Sequence, residues 1–131
     1  MTAGDLVAVS VDGGPGAAAA ARRAVVAADG SLPTTVRENL ELLVTELVTN
    51  AVLHADVGPD ASVDLALRLW PGHVRVEVAD HGEGFDPKSA PRSPGEPGGW
   101  GLYLVEQIAD AWGIRPTAPG TCVWFELRYA A

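Results

Sequence analysis

The stretch Leu40-Glu41-Leu42-Leu43-Val44-Thr45-Glu46-Leu47-Val48-Thr49-Asn50-Ala51-Val52 decides how the rest of the chain is read. Leu40, Leu43, Val44, Leu47, Val48, Ala51 and Val52 recur at i, i+3 and i+4, which is the spacing of one face of an α-helix. The helix is expected to begin near Ser31-Leu32-Pro33 and to run to about Ala55, where Val57-Gly58-Pro59-Asp60 breaks it. Glu46, Asn50 and His54 follow one another at intervals of four, so they line up on one side of this helix beside the apolar stripe. Burying three polar groups there is costly unless something binds them. On spacing alone, a solvated edge of an amphipathic helix explains them equally well.

Working outward, Ser62 to Trp70 alternates Val63, Leu65, Leu67 and Leu69 with polar partners, and Val74, Val76 and Val78 alternate with His73, Arg75 and Glu77. With Pro71-Gly72 between them they predict a β-hairpin with one face covered and one wet. Upstream, Leu6 to Val11 reads as a strand closed by Asp12-Gly13-Gly14-Pro15, and the alanine-rich Gly16 to Asp29 reads as a helix stopped by Gly30. Downstream, a helix is expected from about Trp100 to Ala111. Gly113 to Arg115 and Thr121 to Arg128 then read as two strands around a turn at Ala118-Pro119-Gly120. The order strand, helix, helix, hairpin, helix, hairpin predicts an α+β two-layer sandwich, with helices on one face of a mixed, mostly antiparallel sheet.

The 131 residues suit a single domain spanning 1–131, and strands at both ends suggest a complete unit. Seventeen acidic against nine basic residues give a net charge of −8, which argues against direct nucleic-acid binding by counterion release. A nucleotide remains compatible, because backbone N–H groups and one Mg²⁺ neutralise phosphates locally. Cys122 is the only cysteine, so no intramolecular disulfide forms. No apolar run approaches the length of a membrane span and no signal-peptide layout opens the chain; a cytoplasmic protein without membrane contact is the expectation.

Two further clusters carry chemistry. Asp80 ends a strand and is followed by Gly82 and Gly84, with Phe85 next. The carboxylate accepts hydrogen bonds from an amine, and the glycines permit close backbone approach by a flat ligand. Gly98-Gly99-Trp100-Gly101-Leu102 runs straight into a helix start, where unpaired N–H groups favour an anion. Taken singly, an ordinary strand-end turn and a flexible lead-in account for both. Between them lies a stretch rich in glycine and in Pro87, Pro91, Pro94 and Pro97, read as a long loop; loops of that length in small domains tend to be functional. Its Lys88 and Arg92 are the only basic residues between Arg75 and Arg115, and so the local attraction for phosphates or simply a solubilising pair. Other phosphate motifs fail. Pro87 stands where a Walker A loop needs its second glycine, and Gly99-Trp100-Gly101 lacks the third glycine of a dinucleotide fingerprint and does not follow a strand.

The order of these clusters is more specific than any one of them. Glu46-Leu47-Val48-Thr49-Asn50-Ala51 resembles the N box of the gyrase, histidine-kinase and related ATPases known as GHKL. Asp80 to Phe85 resembles their G1 box, and Gly98 to Leu102 their G2 box, over about residues 30 to 129. The ending Gly120-Thr121-Cys122-Val123-Trp124-Phe125-Glu126-Leu127 is similar to the stand-alone anti-sigma-factor serine kinases and their actinobacterial relatives. The resemblance implies a Bergerat-type ATP-binding fold, ATP (or ADP) and Mg²⁺ as ligands, and phosphorylation of a serine or threonine on an anti-sigma-factor antagonist. It further implies a sigma factor as second protein partner and allows a homodimer.

By position it implies Glu46 as general base, Asn50 as Mg²⁺ ligand and His54 on the ligand side. Asp80 would be the adenine acceptor in a pocket shaped by Gly82, Gly84 and Phe85. Gly98, Gly99, Trp100, Gly101 and Leu102 would surround the phosphates, and Lys88 and Arg92 would sit in the lid. In many relatives a threonine on the last strand assists the aspartate through water. Here Cys122 occupies that place and Thr121 stands one residue early, on what is expected to be the other face. The alternative to a kinase is a nucleotide-gated module that holds a partner without phosphorylating it, a reading to which Cys122 and the short proline-rich lid lean. No dimerisation helix with a phosphoacceptor histidine precedes the ATP-binding boxes, so a complete sensor histidine kinase is not expected.

Overall fold

The structure is a computed structural model that describes residues 5–12, 16–28, 32–54, 62–80, 100–117 and 120–130. Among these, β1 (Asp5–Asp12), α1 (Ala17–Ala28), α2 (Thr34–His54), β2 (Ser62–Trp70), β3 (His73–Asp80), α3 (Trp100–Ile108), β4 (Ala111–Pro116) and β5 (Thr121–Arg128) succeed one another. The five strands form one sheet in the order β1-β2-β3-β5-β4. Every pairing in it is antiparallel, so the expected mixed sheet is antiparallel throughout the described residues.

Period-two alternation settles which side of the sheet is dry. Across the sheet, Val7, Leu67, Val76, Phe125 and Trp112 stand in one row, and Val9, Leu65, Val78, Val123 and Ile114 in the next. Both rows join the hydrophobic core under the helices. The α2 stripe meets them as its spacing predicts: Leu40, Leu43, Val44 and Val48 are wholly buried. Ala21 and Val25 of α1 complete the helical layer, their small side chains allowing close approach to α2. Each fully buried leucine or valine contributes about 1.5–3 kcal/mol. The fold therefore rests on this seam far more than on any surface pair.

The third helix is shorter than the sequence suggests. It ends at Ile108, not Ala111, because Asp110 donates its backbone N–H to the Glu126 carbonyl (2.9 Å) and accepts the Arg128 N–H on its carboxylate (2.6 Å). Ala111 then pairs with Glu126, so β4 starts two residues before the expected Gly113. Sheet pairing captures the residues that helical periodicity would have carried on. No described helix is long and apolar enough to cross a membrane.

Candidate nucleotide site

One row of the dry face breaks the apolar pattern. Val11 and Val63 carry it across β1 and β2, but on β3 the position belongs to Asp80, which is buried (2% exposed). On β5 the corresponding residue is Thr121, one step beyond the Ala79–Cys122 pair and also buried. Thr121 therefore shares the face of Asp80. Cys122 lies on the opposite face, its thiol near the Glu77 carboxylate (3.7 Å) and the Arg115 guanidinium (3.8 Å). The expectation that Cys122 takes the threonine's place, with Thr121 turned away, is thus corrected. The register of β5 on β3 sets the face, and that register is invisible to a motif alignment. Burial, together with the neighbouring Glu77 carboxylate, holds the Cys122 thiol above its ordinary pKa, against the pull of Arg115 and Arg75.

Gly120 belongs to this end of the sheet; the sequence placed it in the turn and at the head of the family-like ending, with no role at the site. Its φ of +105° suits glycine, and its carbonyl accepts a hydrogen bond from the Thr117 N–H (3.0 Å), closing the β4–β5 turn. A Cβ built on it would stand 2.8 Å from the Asp80 carbonyl carbon and 3.0 Å from Asp80 Oδ1. Its closeness to Asp80 follows from the strand pairing.

On the helical side, Asn50 is buried (3% exposed) and its Oδ1 has no hydrogen-bond partner among the described residues. Leaving such an acceptor unsatisfied costs about 1–3 kcal/mol, so a retained orphan oxygen points to a ligand. Glu46, one turn earlier on the same helix, is half-buried, and burial raises its pKa above the usual glutamate value. His54 closes α2, and its side chain lies outside the described residues.

Trp100 and Gly101 open α3. The Leu102 side chain is committed to the core (3% exposed), so only its first-turn backbone N–H is left to offer an anion. Gly82, Gly84, Phe85, Lys88, Arg92, Gly98 and Gly99 lie outside the described residues. Among those described, no three His, Cys, Asp or Glu side chains converge as a metal cage. The unpartnered Asn50 Oδ1 is a donor of the kind Mg²⁺ takes, since that ion binds one or two protein oxygens and completes its shell from phosphates and water.

A buried acid at the end of a central strand and a long helix with a carboxylate and an oxygen unpartnered among the described residues give this α+β sandwich the layout of an ATPase domain. Residues 13–127 match the family model described as histidine kinase-like ATPase domain, and the chain belongs to that family. It is 33% identical to the serine-protein kinase RsbW of Oceanobacillus iheyensis, in a match covering 56% of this chain and 54% of that protein. The serine-protein kinases RsbW of Listeria innocua and Listeria monocytogenes are each 32% identical over the same shares. The chain thus spans about half the length of the curated relatives it matches. Among solved structures, a blue-light activated histidine kinase of Erythrobacter litoralis shares the fold, with a TM-score of 0.60 and 24% identity over 84% of this chain and 40% of that one.

Proposed function

We propose that the protein binds Mg-ATP and transfers the γ-phosphoryl group to a serine or threonine of an anti-sigma-factor antagonist, and that it also holds the sigma factor which that antagonist releases. The observation that carries this reading is the buried, unpartnered Asn50 Oδ1 one helical turn from the half-buried Glu46. Similarity to proteins named serine-protein kinase supports the choice of acceptor.

The roles follow from the chemistry of each group. Asn50 Oδ1 would hold Mg²⁺, which supplies charge neutralisation at the phosphates. The Glu46 carboxylate, made more basic by burial, would orient the attacking hydroxyl and accept its proton. Asp80 would accept the adenine amine, with Thr121 beside it on the same face. Backbone N–H groups at the start of α3, with Gly98 and Gly99 before it, would meet the phosphates, as would Lys88 and Arg92. Transfer then depends on position and charge, as phosphoryl transfer requires.

The reading as a binding module without kinase activity drew on Cys122 in the threonine's place and on the short proline-rich lid. Thr121 on the Asp80 face removes the first motive, and the lid lies outside the described residues. The deciding experiment incubates the protein with γ-labelled ATP, Mg²⁺ and candidate antagonist proteins. Label should pass to an antagonist serine or threonine with wild-type protein and not with Glu46→Ala. Nucleotide binding with no transfer to any antagonist would instead favour the non-catalytic module.

A further inference from the structure

We infer that Gly120 is a specificity-determining positioning residue: by lacking a side chain it lets the Asp80 carboxyl occupy the one place from which it selects a purine bearing a 6-amino group. This rests on the nucleotide-binding reading above and adds to it a residue that touches no ligand. Three observations meet here. Gly120 lies at φ +105°, a conformation that L side chains rarely adopt. The Thr117 N–H to Gly120 carbonyl bond (3.0 Å) pins the turn, and Thr121 next to it is paired with Pro116 on β4, so Gly120 cannot back away. A Cβ there would come within 3.0 Å of Asp80 Oδ1 and closer still to the Asp80 backbone carbonyl.

Asp80 has little more room to retreat, being the last paired residue of a central strand and buried in a row with Val63. A methyl group at position 120 therefore presses first on the Asp80 backbone carbonyl and moves the main chain at the end of β3, carrying the carboxylate with it. An acceptor moved by even an ångström loses its aim at an exocyclic amine. The phosphate-binding end, built from α2 and the start of α3, keeps its geometry. The consequence is specific: amine recognition fails while triphosphate binding stays.

The test compares ATP with purine riboside triphosphate, which has the same ring and phosphates but no 6-amine, by calorimetry in the presence of Mg²⁺. Wild type should prefer ATP by about ten- to a hundred-fold, the worth of a hydrogen bond to a charged acceptor. In Gly120→Ala the preference should fall to within about two-fold while the analogue's affinity is kept. Gly120→Asn carries the same Cβ with less backbone strain than alanine, because asparagine accepts positive φ most readily after glycine. It too should lose the preference, and it answers the question if the alanine variant does not fold.

Gly113→Ala is the control. Its Cβ would meet the Trp124 ring at 2.7 Å on the far face of the sheet, so it strains the fold without approaching Asp80. It should lower stability and leave the ATP preference intact. A preference retained in the Gly120 variants, or lost equally in Gly113→Ala, overturns the inference. Wild-type protein that binds neither nucleotide overturns the underlying reading instead.

Discussion

The two faces of β3 and β5 are built from the same sixteen residues by alternation, yet their polar groups behave oppositely. On the open face, His73, Arg75, Glu77, Glu126 and Arg115 are joined by short bonds: Arg75 Nη1 to Glu126 Oε2 at 2.7 Å, His73 Nε2 to Glu126 Oε1 at 2.9 Å, and Arg115 Nη2 to Glu77 Oε1 at 2.9 Å. Arg75 also lies 4.2 Å from the centre of the Trp124 ring, which rests over Gly113, and Trp70 stacks on His73. These polar groups satisfy one another. On the helix-covered face the row is apolar through Val74, Val76 and Val78 and turns polar only at its end, with Asp80 and Thr121, while the Asn50 oxygen on α2 is left without a partner. Mutual satisfaction marks a structural surface, and a buried oxygen without a partner among the described residues, as on Asn50, marks a place kept for a ligand.

The sharpest way to break this distinction is at Glu46. If its carboxylate serves the reacting hydroxyl, Glu46→Ala should lower phosphoryl transfer by about 10²- to 10⁴-fold, with ATP affinity and thermal stability little changed. The pH profile should agree. Burial raises the pKa of Glu46. A base with a raised pKa becomes competent only as pH rises through that higher value, so the limb of the transfer rate should lie above the ordinary glutamate range. An alanine variant that transfers at the wild-type rate would return Glu46 to the solvated edge of its helix.

Phe125, on the dry face of β5 and wholly buried, should show the opposite signature. Phe125→Ala opens a cavity beneath the helices and should cost about 3–5 kcal/mol in urea unfolding. Residual folded protein should keep its preference among nucleotides. Asp80→Asn comes next in size. Replacing the carboxyl acceptor by an amide should weaken ATP by about ten- to a hundred-fold by calorimetry, without a comparable loss of unfolding free energy. If Asp80→Asn costs several kcal/mol of unfolding free energy while the folded variant keeps its ATP affinity, the buried acid is structural and the contrast between the faces fails.

Much of this was legible before the structure. The α2 stripe, the β2–β3 hairpin and the last strand depend on local periodicity, and all lie within a residue or two of where periodicity puts them. Two features were not. The C-terminal end of α3 is decided by Asp110 bonding to β5, a contact between residues far enough apart that no local pattern records it. The choice between Thr121 and Cys122 depends on which β5 residue stands opposite Asp80. Motif spacing misassigned it because a one-residue offset reverses the face. Gly120 escaped for the same reason: its partner is set by sheet register, forty residues away in sequence.

The smallest expected effect tests the open face. The Glu126 carboxylate would be pushed up by its partial burial, but bonds from Arg75 and His73 outweigh that and hold its pKa below the ordinary value. Glu77 is lowered likewise: burial raises it, and Arg115 and Arg75 more than compensate. A carboxylate whose pKa is lower folded than unfolded stabilises the fold fully above its unfolded pKa, and that stabilisation is lost as pH falls through the folded value. Glu126→Gln should therefore cost about 1 kcal/mol or less near neutral pH, since the pairs border solvent and Arg75 keeps both Glu77 and Trp124. The gap between wild type and variant should narrow as pH falls below the usual carboxylate range, where the wild-type group has also lost its charge. Urea unfolding at the two pH values reads this directly, and ATP affinity measured alongside should not move. A loss of several kcal/mol, or any change in nucleotide preference, would mean that the open face reaches the site through β3. Its polar network could then no longer be treated as closed on itself.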